Sequence, residues 1–184
     1  GVGDGLCLTG ESHGCTGFYD GAGLVGRYHL ADRALVGGAA TAALDAGTLS
    51  PFIGIRIKPL SRELAARSIR TLDIFVSQMV TATSGRLPPN FVVTLPKITH
   101  SDDVATLVWV LEHLEQQLEL TEGSLKLEIM VETTHCLIDP RGRIMLPRLL
   151  DEANGRMVGA HFGTYDYTAG CDITAAHQGM GHQA

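Results

Sequence analysis

From residue 51 to residue 163 the hydrophobic pattern alternates between a period of two and a period near 3.6. In Pro51–Leu60, Ile53, Ile55 and Ile57 share one face, and Phe52, Gly54, Arg56 and Lys58 share the other. That is the alternation of a strand. Arg62 to Val80 sets Leu64, Ile69, Leu72, Phe75, Val76 and Met79 at helical spacing, with Arg67, Arg70, Asp73 and Gln78 between them. A stiff turn, Leu87-Pro88-Pro89-Asn90, leads into a second strand, Phe91–Leu95, which ends at Pro96-Lys97. Ser101 is placed to cap the next helix, and Asp102 and Asp103 suit its positive amino end. The apolar stripe of that helix runs from Val104 through Leu107, Val108, Leu111 and Leu114 to Leu118, and Gly123 breaks it.

The strand expected next, Leu125–Glu132, alternates strictly. Leu127, Ile129 and Val131 take one face; Glu128, Met130 and Glu132 take the other. A turn around Asp139-Pro140 and a short helix over Leu146–Asn154, stopped by Gly155, precede the last strand, Met157–Gly163. That strand runs into Thr164, Tyr165 and Asp166, and one more turn or short helix is expected over Asp172–Met180. Four strands alternating with helices imply parallel strands joined by right-handed crossovers.

The first part of the chain does not continue this pattern. Glycine is dense in residues 1–23, which disfavours regular elements, and no strand is expected there. One alanine-rich piece, Leu30–Ala46, reads as a helix stopped by Gly47. Gly21, Gly23 and Gly26 match the dinucleotide fingerprint literally, and Asp45 lies at a suitable distance for a ribose contact. The fingerprint requires a strand before its first glycine, and Cys15–Asp20 reads as too short and too polar to supply one. The division expected is therefore an irregular segment, 1–48, and one α/β domain, 49–184, with no linker between two domains.

Composition narrows the function. Of 184 residues, 45% are hydrophobic and 18% charged, ordinary for a soluble domain, and the net charge of -6 argues against an electrostatic grip on nucleic acid. No apolar run reaches the ~20 residues of a membrane span, and no signal-peptide pattern is present. Cys7, Cys15, Cys136 and Cys171 have no paired metal spacing and read as reduced thiols in a cytoplasm.

Four charged residues stand in equivalent places, each at the carboxyl end of its strand: Arg56, Lys97, Glu132 and Asp166. In a parallel barrel those ends converge on one mouth, where such enzymes keep their chemistry. Two carboxylates suit a hard cation such as Mg2+; two cations suit an anionic substrate. Single charges of this kind are commonly solvated loop residues, so the weight lies in the coincidence of four. His161 reads as a packed or ring-bonded histidine, and His177 and His182 as solvated. His135 and Cys136 are sequence neighbours, a placement that rarely makes a nucleophile and its base face each other.

The pieces VETT (131–134) and GRMVGAHFGTYDYTAGCDITAAHQ (155–178), with FIGIRIKPL (52–60) and FVVTLPKI (91–98) upstream, resemble the citrate-lyase β-subunit and 2-keto-3-deoxy-acid aldolase group. The likeness runs from about Leu49 to His182 and is nearest to an aldolase-like, phosphoenolpyruvate-kinase-like branch. It implies a partial (β/α)8 TIM barrel of the phosphoenolpyruvate/pyruvate-binding type. It implies that Glu132 and Asp166 bind Mg2+ or another divalent cation, and that Arg56 contacts the substrate. Lys97 falls in the PK motif as a catalytic candidate, and Gly163 joins Arg56 in binding substrate. The implied reaction makes or breaks a carbon–carbon bond of a keto-acid or acyl substrate through an enolate. Small molecules are then the partners, with neither nucleic acid nor membrane, and a homo-oligomer is compatible.

Two departures stand beside the resemblance. The group's acidic early-strand motif, roughly DFED, has no evident counterpart upstream of the RI strand, and no early-strand His offers a general base. A complete barrel needs about 250 residues, so a weakly active or inactive barrel fragment, serving as an assembly piece or a truncated product, is the alternative.

Overall fold

A computed structural model describes residues 17–20 and 42–184 of the chain. Five parallel strands form one sheet: β1 (Gly17–Asp20), β2 (Ile53–Arg56), β3 (Phe91–Leu95), β4 (Lys126–Val131) and β5 (Met157–Phe162). They lie in the order in which they occur in the chain. Helices α1 (Ala65–Ala82) and α2 (Ser101–Gln117) cross between β2, β3 and β4. Two short helices, α3 (Thr134–Leu137) and α4 (Leu146–Glu152), lie between β4 and β5, and α5 (Thr164–Gly170) follows β5. A 3-10 turn, Ala175–His177, occupies the region where a last turn or short helix was expected.

The two faces of the sheet differ in chemistry. The Ile53, Ile55, Val93, Leu95, Leu127 and Ile129 side chains pack on Leu72, Val76, Leu107 and Leu111 of α1 and α2 and form the core. Strand alternation sends Gly54, Arg56, Thr94, Glu128, Met130 and His161 to the opposite face, which becomes the inside of a barrel. Gly54 is required there, because a Cβ on it would fall 2.4 Å from the Val92 carbonyl oxygen. The fold is thus α/β with a parallel sheet, part of a (β/α)8 barrel.

β1 corrects the expectation that the glycine-rich stretch holds no strand. Four residues, GFYD, are too few to display a period, and the pairing of Gly17–Asp20 with Ile53–Arg56 supplies what local sequence does not. The same strand removes the objection that nothing precedes Gly21. Topology now weighs against the dinucleotide reading instead. A doubly wound nucleotide fold starts in mid-sheet and reverses direction at a switch point; among the described residues β1 is at an edge and the order does not reverse. Gly21, Gly23 and Gly26 themselves lie outside the described residues, as does most of the helix expected over Leu30–Ala46, of which residues 42–45 are helical.

Smaller corrections come from caps and helix starts. His100, not Ser101, is the N-cap of α2, and the Asp103 carboxylate accepts from the amides of Thr99 (3.0 Å) and His100 (3.2 Å). Asp166 belongs to the first turn of α5, where a plain extension of the last strand was expected; Thr and Tyr are weak helix formers and hid the helix.

At the amino ends of β4 and β5 the buried Arg156 guanidinium makes a bidentate pair with Glu115 of α2, at 2.7 and 2.8 Å. The same carboxylate accepts the amides of Leu125 (2.7 Å) and Gly123 (2.9 Å), which ties the end of α2 to both strands. On the far side, the outward face of β5 is open: Val158 is 61% and Phe162 44% exposed. No helix among the described residues is long and apolar enough to cross a membrane.

Candidate active site

Arg56 ends β2, Lys97 follows β3 by two residues, Glu132 follows β4 directly, and Asp166 opens α5 just past β5. All four sit at the carboxyl edge of the sheet and interact. Lys97 is the hinge of the group. Its backbone is left-handed (φ 52°), a conformation that costs a non-glycine residue on the order of 1 kcal/mol or more. In return its amide donates to Glu132 Oε1 at 2.8 Å while its ammonium lies 2.7 Å from Asp166 Oδ2. The loop that holds it is fastened by the Thr133 hydroxyl, which donates to the Ile98 carbonyl and also caps α3 by accepting from Cys136 N (3.1 Å).

The two carboxyl groups lie close enough to shift each other's titration. Burial is the largest influence on Glu132 and pushes its carboxyl up, the nearby Asp166 adding to this against the pull of Lys97. Asp166 is half-exposed and held below the ordinary range, first by the Lys97 ammonium and further by Arg56. One carboxyl is thus moved up and the other down, the usual division when two like charges share a site.

Gly163 lies beside Glu132. Its amide donates to Val131 O at 2.9 Å, so what it gives the site is the space of a missing side chain. Tyr167 of α5 packs on Phe162, ring centroids 5.0 Å apart, whereas Tyr165 is exposed. Cys136 is buried, and burial with the Glu132 charge pushes its thiol up to about 11, far from a thiolate nucleophile. His177 and His182 are on the surface.

Sequence reasoning missed two features. β1 fills the strand position upstream of the RI strand, where an acidic motif had no evident counterpart, and it ends on Asp20, in register with Arg56. The signal was the acidic end of GFYD. The second is an inner layer beneath the mouth. Glu128, only 6% exposed, accepts from Thr94 Oγ1 at 2.6 Å, and its other oxygen lies 2.9 Å from His161 Nε2.

Two adjacent carboxylates are the share of ligands that Mg2+ often takes from a protein, water and substrate oxygens completing its octahedron. The described residues gather no third His, Cys, Asp or Glu with them. A pair of carboxylates is compatible with Mg2+, whereas Zn2+ asks for three or four protein ligands.

A family model described as a domain of unknown function, DUF6986, matches residues 17–184. The chain belongs to the DUF6986 family. No curated protein matches it. Among solved structures, this DUF6986 chain is similar to a citrate lyase from Burkholderia xenovorans (22% identity, TM-score 0.58), over 84% of this chain and 42% of that one. It is also similar to a Haloferax volcanii malate synthase, seen as a pyruvate/acetyl-CoA ternary complex (18% identity, TM-score 0.59), over 87% of this chain and 42% of that one. A magnesium/glyoxylate complex of the same synthase matches at 19% identity and TM-score 0.53, over 78% and 39%. At these identities the likeness is one of fold. The DUF6986 chain spans about 42% of the length of the first two.

Proposed function

We propose that the DUF6986 chain carries the ligand-binding mouth of a magnesium-dependent carbon–carbon lyase or aldolase that acts on a keto-acid or acyl substrate. The observation that carries this reading is the meeting of Glu132 and Asp166, with Lys97 bridging them and Arg56 acting on Asp166. Glu132 and Asp166 would hold Mg2+, which when bound supplies positive charge for the carboxylate and carbonyl oxygens of a keto acid. Arg56 offers a planar fork that matches a carboxylate and faces the charge that develops on an enolate oxygen. Lys97 keeps Glu132 oriented through its amide and adds a second cation to the mouth. Gly163 leaves room for the Glu132 side chain and stands beside the substrate that the mouth would hold.

Support from the comparisons is of the same kind: the similar structures carry the names citrate lyase and malate synthase, and one holds pyruvate with acetyl-CoA. A second reading, a catalytically weak barrel fragment that works only in an assembly, draws support from the open outer face of β5.

Calorimetry with pyruvate, with and without Mg2+, separates the possibilities. The expected result is Mg2+-dependent binding that is lost in E132Q and D166N and weakened in R56K, which keeps the charge but not the fork. Pyruvate binding that is unchanged in E132Q, D166N and R56K would overturn the assignment.

A further inference from the structure

Carbon–carbon chemistry beside a carbonyl needs a group that moves a proton, and none of the four mouth residues is suited to it. Arg56 is a guanidinium and so a poor base, the Lys97 ammonium is paired with Asp166, and Glu132 accepts from the Lys97 amide. The inner layer supplies a candidate. On the inner face of β5 the side-chain positions are Gly159, His161 and Gly163, an imidazole between two glycines. It lies one layer, about 7 Å along the strand, below the glycine that abuts Glu132. Its side chain is 39% exposed, open to ligand and water, while the Glu128 carboxylate that meets Nε2 at 2.9 Å is buried. Thr94 fixes the other oxygen of Glu128 at 2.6 Å. A buried carboxylate 2.9 Å from one ring nitrogen offsets the charge that the ring takes on when it accepts a proton.

We propose that His161 is the general base of this site and that Glu128 is the residue that positions it. The inference rests on the keto-acid reading above and adds the proton-transfer group that reading lacks. With Nε2 on Glu128, exchange with substrate runs through Nδ1. For pyruvate, Nδ1 takes a proton from the C3 methyl group. The C–H electron pair becomes the C2–C3 double bond, and the carbonyl π pair moves to oxygen, giving the enolate. Reversal returns a proton to C3, and in D2O a ring that has exchanged with solvent returns a deuteron.

Deuterium uptake at C3 of pyruvate, followed by proton NMR with the full chain and Mg2+, tests this alongside calorimetric pyruvate binding. The expected result is uptake by the wild-type chain that falls about 100-fold or more in H161A. Pyruvate affinity should stay within about twofold, and added imidazole should restore part of the rate. E128Q should lower the rate without changing affinity, a split that a merely structural role would not give. H161Q guards against misfolding of the alanine variant and should behave as H161A does, without imidazole rescue. Uptake by H161A and H161Q at the wild-type rate overturns the role of His161 and leaves the keto-acid reading standing. A wild-type chain that neither binds pyruvate nor exchanges its protons overturns both.

Discussion

Gly163 and Glu132 compete for one space: a Cβ on Gly163 would fall 2.5 Å from Glu132 Cβ and 2.9 Å from its Oε2. Backbone on one side and a strand residue on the other leave neither free to move aside. Gly163→Ala should therefore displace Glu132, carboxylate included, and lower stability as well. Mg2+ affinity, measured by calorimetry, should drop about 10–100-fold, the range seen when the surroundings of a metal ligand are disturbed. Unchanged affinity would mean that Glu132 does not hold the ion.

The Arg156–Glu115 pair should be the costliest polar contact to break. Removing one partner leaves a buried charge alone, and Glu115→Gln should cost about 3–5 kcal/mol in urea unfolding at pH 7. Burial pushes the Glu115 carboxyl up, but Arg156 and the amides of Leu125 and Gly123 outweigh it and hold it below its ordinary 4.5. A depressed carboxyl contributes stability above pH 4.5, and that contribution is lost as pH falls through the folded value. The wild-type chain should lose stability on acidification to below pH 4, and Glu115→Gln should lose less over the same interval.

Cys136 should resist alkylation. Burial, then the Glu132 charge, pushes its thiol up to about 11. At pH 8 iodoacetamide should label Cys171, which is partly exposed, well before Cys136, as read by peptide mass spectrometry. Equal labelling in the native state would contradict the packing around α3.

The outer face of β5 should drive self-association. Val158 and Phe162 are exposed on a strand whose outer edge is unpaired among the described residues. Val158→Lys should lower the association seen by light scattering without a change in thermal midpoint. Persistent association in that variant would move the sticky surface elsewhere.

The strands from Ile53 onward are legible in the sequence because each is β-branched, alternates or is largely apolar, and the first two precede a helical stripe. β1 is not, because its four residues become a strand only by pairing with Ile53–Arg56. Gathering of Arg56, Lys97, Glu132 and Asp166 follows from their strand-end positions alone. The double grip of Lys97 does not, since it depends on one left-handed residue in a loop. Nor does the meeting of His161 and Glu128. A register shift between Leu127 and Glu128 sets Gly159 opposite Glu128 and brings His161 to the inner face. A slip of one residue would send it outward, and no pattern within either strand reveals the bulge.

Because each strand lies against the one made just before it, the sheet can assemble in the direction of synthesis. A nascent chain leaves the ribosome amino end first, at about 5–20 residues per second. β2 can collect β3 as soon as α1 has emerged between them, and β4 needs only β3 and α2. Within the described sheet no strand from β2 to β5 waits for a partner that is still unmade. The exception is the mouth, where Lys97 meets Asp166 only after nearly seventy further residues have been added. Framework and chemistry are thus separated in time, and a ribosome stalled after β4 would display a folded sheet edge with half a site.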